Sequence, residues 1–214
     1  MKRTFAFIVV IALCAIFSSC SEIESPKSDS NANSNAIDLG LSVKWATCNL
    51  GATAPEEYGQ YFAWAEISEK KEYTWSNCKY CSDEYGYEFT KYVGKTDVLQ
   101  ASDDAANVLL GDGWRIPTTA ELQELVDKCK WTLETVGGHS GYTVTGPNGN
   151  SIFLPFAGFK NEDGFQEGGK MGFYWSSQNY EYFNNAAYDL DLFANMKGVG
   201  YFDRCNGLTI RPVK

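Results

Sequence analysis

Histidine is nearly absent: His139 is the single one in 214 residues, and it stands in a Gly-Gly-His-Ser-Gly run, 137–141, that reads as a loop. Chemistry that needs several histidines, as most zinc hydrolysis and proton-shuttling sites do, is poorly supplied. The Gly-x-Ser-x-Gly nucleophile turn, the phosphate-cradling P-loop and the Gly-x-Gly-x-x-Gly dinucleotide fingerprint are missing as well. Positive charge is short. Lys and Arg number 18 against 27 Asp and Glu, for a formal net charge of −9. That balance argues against nucleic acid or anionic lipid headgroups as partners. Long apolar runs are also scarce; the one from Phe5 to Phe17 is shorter than the roughly 20 residues a membrane-crossing helix needs.

That run has a different use. Lys2-Arg3, the apolar stretch and Ser18-Ser19-Cys20 together have the layout of a secretory signal over residues 1–19. Small residues directly before a cysteine resemble a bacterial lipobox, with Phe17 where leucine is usual, so Cys20 is the expected lipidation site. Each buried acyl CH₂ stabilises membrane attachment by about 0.8 kcal/mol. Ser21 is not the Asp that signals inner-membrane retention in enterobacteria, which favours the outer membrane. Glu22 and Glu24 resemble surface-export signals of Bacteroidetes lipoproteins. Residues 20–36 are rich in Ser and Asn and lack aromatics, the composition of a flexible tether. The folded domain is then expected over 37–214, long enough to bury one real core. Removing Lys2 and Arg3 takes the formal charge from −9 to −11.

Five cysteines fall in that domain: Cys48, Cys78, Cys81, Cys129 and Cys205. An exported chain permits disulfides, at most two here, and the spacing leaves the pairing open. Cys78-Lys79-Tyr80-Cys81 has redox or zinc spacing but no second pair to complete four ligands, so no metal and no cofactor is expected.

Apolar residues alternate from Ile37 to Trp45, which predicts a half-buried strand. Residues 60–66 are apolar enough to be buried, and 70–95 reads as a long surface excursion. Ser102-Asp103 predicts the cap of a short helix through Leu109, stopped by Gly111 and Gly113. Thr118 and Glu121 stand three apart, as a capping box requires, and Leu122, Leu125, Val126 and Cys129 define one helical face. Strands are then predicted at 142–145 and 151–156 around a Gly-Pro-Asn-Gly turn, and at 173–177, 187–193, 199–202 and 208–213. The sum is an α+β domain of short helices and mainly antiparallel strands.

Gly113-Trp114-Arg115-Ile116-Pro117-Thr118 resembles a segment of the C-type lectin fold. It is shared by formylglycine-generating (sulfatase-modifying) enzymes and by the Fibrobacter succinogenes major paralogous domain family. Residues 38–52 (DLGLSVKWATCNLGA) and 207–214 (GLTIRPVK) resemble the latter family, found in gut Bacteroidetes lipoproteins. The resemblance implies a C-type lectin-like fold in which the first and last strands lie side by side. Residues 173–177, 184–190 and 204–207 further resemble the variable region of diversity-generating retroelement targets. This implies scaffold roles for Trp175, Ser176, Ser177, Leu190, Leu192, Gly207 and Arg211, and ligand contacts between them.

The loop itself reads Gln-Asn-Tyr-Glu-Tyr-Phe-Asn-Asn over 178–185. Tyrosine offers rigid amphipathic area and amides offer adaptable hydrogen bonds, the composition of a paratope. The expected contacts are Tyr180, Glu181, Tyr182, Phe183, Asn184, Asn185, Asp189, Asp191, Phe193 and Tyr201. Asp189 and Asp191 alternate with leucines, which predicts a shared solvent face. The acidic pairs Asp103–Asp104 and Glu121–Glu124 are explained by helix capping and the helix dipole. Glycan- or protein-binding by a surface lipoprotein, an adhesin or diversified receptor, is the leading expectation, with no catalytic residue. The alternatives are an altered relative of the formylglycine-generating enzymes, whose C-terminal copper-binding cysteine pair is reduced here to Cys205, and a structural part of an envelope or fimbrial assembly.

Overall fold

The computed structural model describes Ala36–Lys214. The signal peptide expected over 1–19, the lipidation site expected at Cys20 and all of the tether expected over 20–36 but Ala36 lie outside the described residues.

β1 (Ala36–Asp38) and β2 (Lys44–Ala46) form an antiparallel hairpin. The single strand expected from Ile37 to Trp45 is therefore two, because the chain reverses at Gly40. That residue takes φ +76° and its N–H donates to Asp38 Oδ1 at 2.7 Å.

α1 (Ala105–Leu110) is capped by Asp104, which accepts from the Asn107 N–H at 3.0 Å. Ser102 and Asp103 do not cap it. The Asp103 carboxylate is drawn elsewhere, accepting from Lys79 and Lys91 at 2.7 and 2.6 Å and from the hydroxyls of Tyr80 and Tyr92. α2 (Thr119–Lys128) starts as expected, with both halves of the Thr118–Glu121 capping box formed. Glu121 also pairs with Arg115, and Glu124 with Lys128. Leu122 and Leu125 are buried, while Val126 and Cys129 pack at the edge of the same cluster.

β3 (Lys130–Val136), β4 (His139–Thr145) and β5 (Ser151–Pro155) make an antiparallel sheet in that order. β3 lacks a sequence signal because most of its residues are exposed, so no apolar face marks it. β6 (Phe159–Asn161) and β7 (Gly164–Gln166) are a short hairpin. β8 (Met171–Asn179), β9 (Ala186–Phe193) and β10 (Met196–Asp203) form a second three-stranded sheet with β9 central. These contain the strands expected at 173–177, 187–193 and 199–202. The strand expected at 208–213 is instead an irregular buried segment. Its pairing is divided: Leu208 bridges Phe62, Thr209 bridges Tyr174, and Val213 bridges both Trp45 and Arg115. No single neighbour runs alongside it long enough to make a ladder.

The β8–β10 sheet is covered on both faces. Tyr174, Leu190 and Leu192 pack with Leu122, Leu125 and the β4–β5 residues Val144 and Leu154. Phe173, Trp175 and Ala187 face the other way, onto Phe62, Trp64, Leu208 and Ile210. The two ends of the described chain also meet. The Lys44 N–H donates to the Lys214 carbonyl at 2.9 Å, the Lys214 N–H returns to Lys44 at 3.0 Å, and Leu50 bonds Ile210 at 2.9 Å. The architecture is α+β, with mostly antiparallel strands in small sheets and few short helices.

Candidate functional site

The 180–185 loop joins β8 to β9 and gathers aromatic rings at the surface. Tyr180 lies at the centre, stacked on Tyr201 of β10 with ring centroids 4.2 Å apart and planes at 17°. Tyr182, Phe183 and Tyr188 surround it at 5.3, 5.8 and 5.0 Å. Tyr188 and Tyr201 face each other across the β9–β10 ladder, which is why two distant positions share one patch. Tyr182, Phe183 and Tyr201 are 70, 53 and 51 % exposed. Three large rings on the surface, held together by a fourth beneath them, are the kind of exposed apolar patch that marks an interaction site.

The loop is held by its main chain, which leaves those side chains free. Tyr180 N–H donates to the Ala186 carbonyl and Ala186 N–H to the Phe183 carbonyl, closing the turn. Arg204 then pins it from below: its N–H donates to the Asn185 carbonyl at 2.9 Å and its Nη1 to the Asn184 carbonyl at 2.9 Å. The Arg204 guanidinium is buried between the Trp64 and Phe89 rings, 4.6 and 4.2 Å from their centroids. It also donates to the Tyr92 and Lys91 carbonyls, so the 70–95 excursion is tied to the patch. Burial draws its pKa down to about 10, which leaves it charged at neutral pH. Asn179 adds a second tie, donating through Nδ2 to the Gly94 carbonyl at 2.6 Å. A rigid support of this kind lowers the ordering cost of binding.

The ten expected contacts divide. Tyr180, Glu181, Tyr182, Phe183, Asn184, Asn185 and Tyr201 gather in or beside the loop. Phe193 lies at the far end of β9, packed against Phe173. The solvent face expected for Asp189 and Asp191 is corrected. Asp189 is fully buried and Asp191 half-buried, because their face of β9 carries the Phe62–Trp64–Ile210 cluster. Sequence reasoning missed Tyr188 and Arg204 as parts of the site. Their signal is the β9–β10 register and a buried guanidinium, neither of which is local in sequence.

Apart from the neighbouring Asp191 carboxyl, the Asp189 carboxylate oxygens have no hydrogen-bond partner. The two side chains crowd beside Gly200, where a Cβ would collide with Asp191 Oδ2. Burial first, and then the neighbouring Asp191 carboxyl, hold Asp189 protonated well above the usual carboxylate range. Burial raises Asp191 too. A folded-state pKa above the unfolded value of about 3.9 means the native chain binds the extra proton, so this pair contributes less stability as pH rises. Asp189→Asn is expected to stabilise the protein by about 1–3 kcal/mol near pH 8, with the gain shrinking towards pH 4. Thermal unfolding across that range measures it, and a gain independent of pH would contradict the reading.

Burial works against the charge of Asp103, but its two lysines and two tyrosines outweigh that and hold the carboxyl far below the ordinary range. The five described cysteines are free thiols, and burial pushes Cys78 up to about 12, away from thiolate reactivity. His139 is no loose loop residue; it opens β4 and packs edge-on against Tyr58 at 4.8 Å. Among the described residues, no three or more His, Cys, Asp or Glu side chains are grouped to hold a metal ion. Comparison with protein-family models, with curated proteins and with solved structures finds no match to this chain.

Proposed function

We propose that this chain is an envelope lipoprotein whose C-type lectin-like domain presents the Tyr180–Tyr182–Phe183–Tyr188–Tyr201 patch to an extracellular ligand, a protein surface or a glycan. The observation that carries the reading is the exposure of Tyr182, Phe183 and Tyr201 around the stacked Tyr180. Amphipathic rings on a braced loop give contact area at low entropic cost. The paired chain ends and the burial of Trp175, Ser176, Ser177, Leu190, Leu192 and Arg211 agree with the scaffold the sequence resemblance implies. Purified protein applied to arrays of glycans and of extracellular proteins tests the reading; a specific partner lost on mutating the patch supports it, and no partner from either array argues against it.

The anchor is tested separately. Cys20→Ala is expected to abolish incorporation of labelled palmitate and to shift the protein from the membrane to the soluble fraction. An unchanged membrane fraction would remove the lipoprotein part of the proposal.

A further inference from the structure

A second concave surface lies away from the aromatic patch and shares no residue with it. The segment 51–61 and the β6–β7 hairpin border a shallow, open depression of about 420 Å³, a volume comparable with the roughly 300–1,000 Å³ of small-molecule sites. Three rings in mutual contact line one side of it, Phe165 standing 6.0 Å from Tyr58 and 5.7 Å from Tyr61, the latter edge-on; Tyr61 is buried beneath, and Phe165 offers the accessible apolar face. Phe165 is 49 % exposed on a short hairpin strand, so half of its surface is left to the opening.

These rings are braced. The Tyr58 main chain accepts hydrogen bonds at its carbonyl from Asn49 Nδ2 at 3.0 Å and Thr209 Oγ1 at 2.9 Å, and His139 supports its ring. The Tyr61 hydroxyl is bound to the Ala157 carbonyl. The charges at the rim are already answered. Lys160 Nζ lies 3.2 Å from Glu69 Oε1 and 4.6 Å from the centre of the Tyr61 ring. Glu57 accepts from the Thr53 N–H and hydroxyl and from the Ala54 N–H. A free ion therefore gains little here. The depression favours an uncharged ligand with one apolar ring face to lie on Phe165 and polar groups around its edge to meet Gln60, Lys160 and the Tyr58 hydroxyl.

We infer that this depression binds a neutral pyranose, a single hexose residue or the end of a chain. A pyranose combines an apolar C–H face with peripheral hydroxyls at this scale, and aromatic side chains with a few polar groups are the means of holding such an amphipathic ring. The proposal does not depend on the ligand of the aromatic patch.

Saturation-transfer NMR of the full chain tests it with methyl glycosides of glucose, galactose, mannose and N-acetylglucosamine. At least one is expected to receive saturation at its ring protons, reduced at least about fivefold by Phe165→Ala. Because Phe165 is half-exposed, that variant is expected to fold, which its melting curve checks. Gln60→Ala supplies a second variant and is expected to weaken the same signal. The Tyr182→Ala/Phe183→Ala double variant is expected to leave it unchanged. No transfer to any glycoside, or transfer that Phe165→Ala leaves intact or that the double variant abolishes, overturns the assignment.

Discussion

Arg211→Leu is expected to cost about 3–5 kcal/mol of folding stability, the largest single-residue effect anticipated in the domain. The guanidinium is 1 % exposed and is held by carbonyl-type oxygens. Nε donates to Asn49 Oδ1 at 2.9 Å, Nη1 to the Ala46 and Thr47 carbonyls at 3.1 and 2.8 Å, and Nη2 to the Phe153 carbonyl at 2.7 Å. Burial lowers its pKa to about 10, so at neutral pH the charge remains and these bonds are charge-assisted. Leucine would take a charged donor away from three main-chain carbonyls and an amide oxygen at once, and each buried group that loses a partner costs about 1–3 kcal/mol before the site relaxes. The bonds join the N-terminal segment, β5 and the C-terminal segment, so their loss loosens the place where the chain ends meet. Arg211→Lys keeps a charge but reaches fewer oxygens and is expected to lose less. Urea midpoints measure both. A loss below about 1 kcal/mol for the leucine variant would show that the domain closes without this residue.

Replacing Tyr182, Phe183 and Tyr201 together by alanine is expected to lower affinity for the patch's ligand at least 100-fold, about 2.7 kcal/mol. The same variant should change folding stability by no more than about 1 kcal/mol, because exposed rings contribute little to the core. The separation is the point. The loop's backbone bonds to Ala186, Phe183 and Arg204 do not involve the three removed rings' side chains. Tyr180→Ala behaves differently, since it removes the ring on which the others are assembled, and it is expected to weaken both binding and loop order.

Much of this arrangement was legible in the chain. The α2 capping box, the 146–150 turn and the β8–β10 strands all come from local patterns that the core then reinforces. Exposed loop aromatics were readable from composition. What was not readable depended on partners far along the chain. The Leu190/Leu192 alternation points Asp189 and Asp191 to a wet face, yet irregular residues 60–66 and 207–213 cover that face. Such segments bury apolar side chains without the period that signals a strand. Gly40 broke an apparent strand because a backbone turn outweighs side-chain alternation. Likewise Asp103 and Arg204 are isolated letters in sequence; only folding brings Lys79, Lys91, Tyr80 and Tyr92 to the first and Trp64 and Phe89 to the second.

The most direct test of the central claim is hydroxyl-radical footprinting of the protein with and without the partner found on the arrays. Oxidation should fall at Tyr182, Phe183 and Tyr201 on binding, with the exposed Leu133 on β3 unaffected. Protection centred on β3, with those three rings as reactive as before, would place recognition on another face and contradict the account.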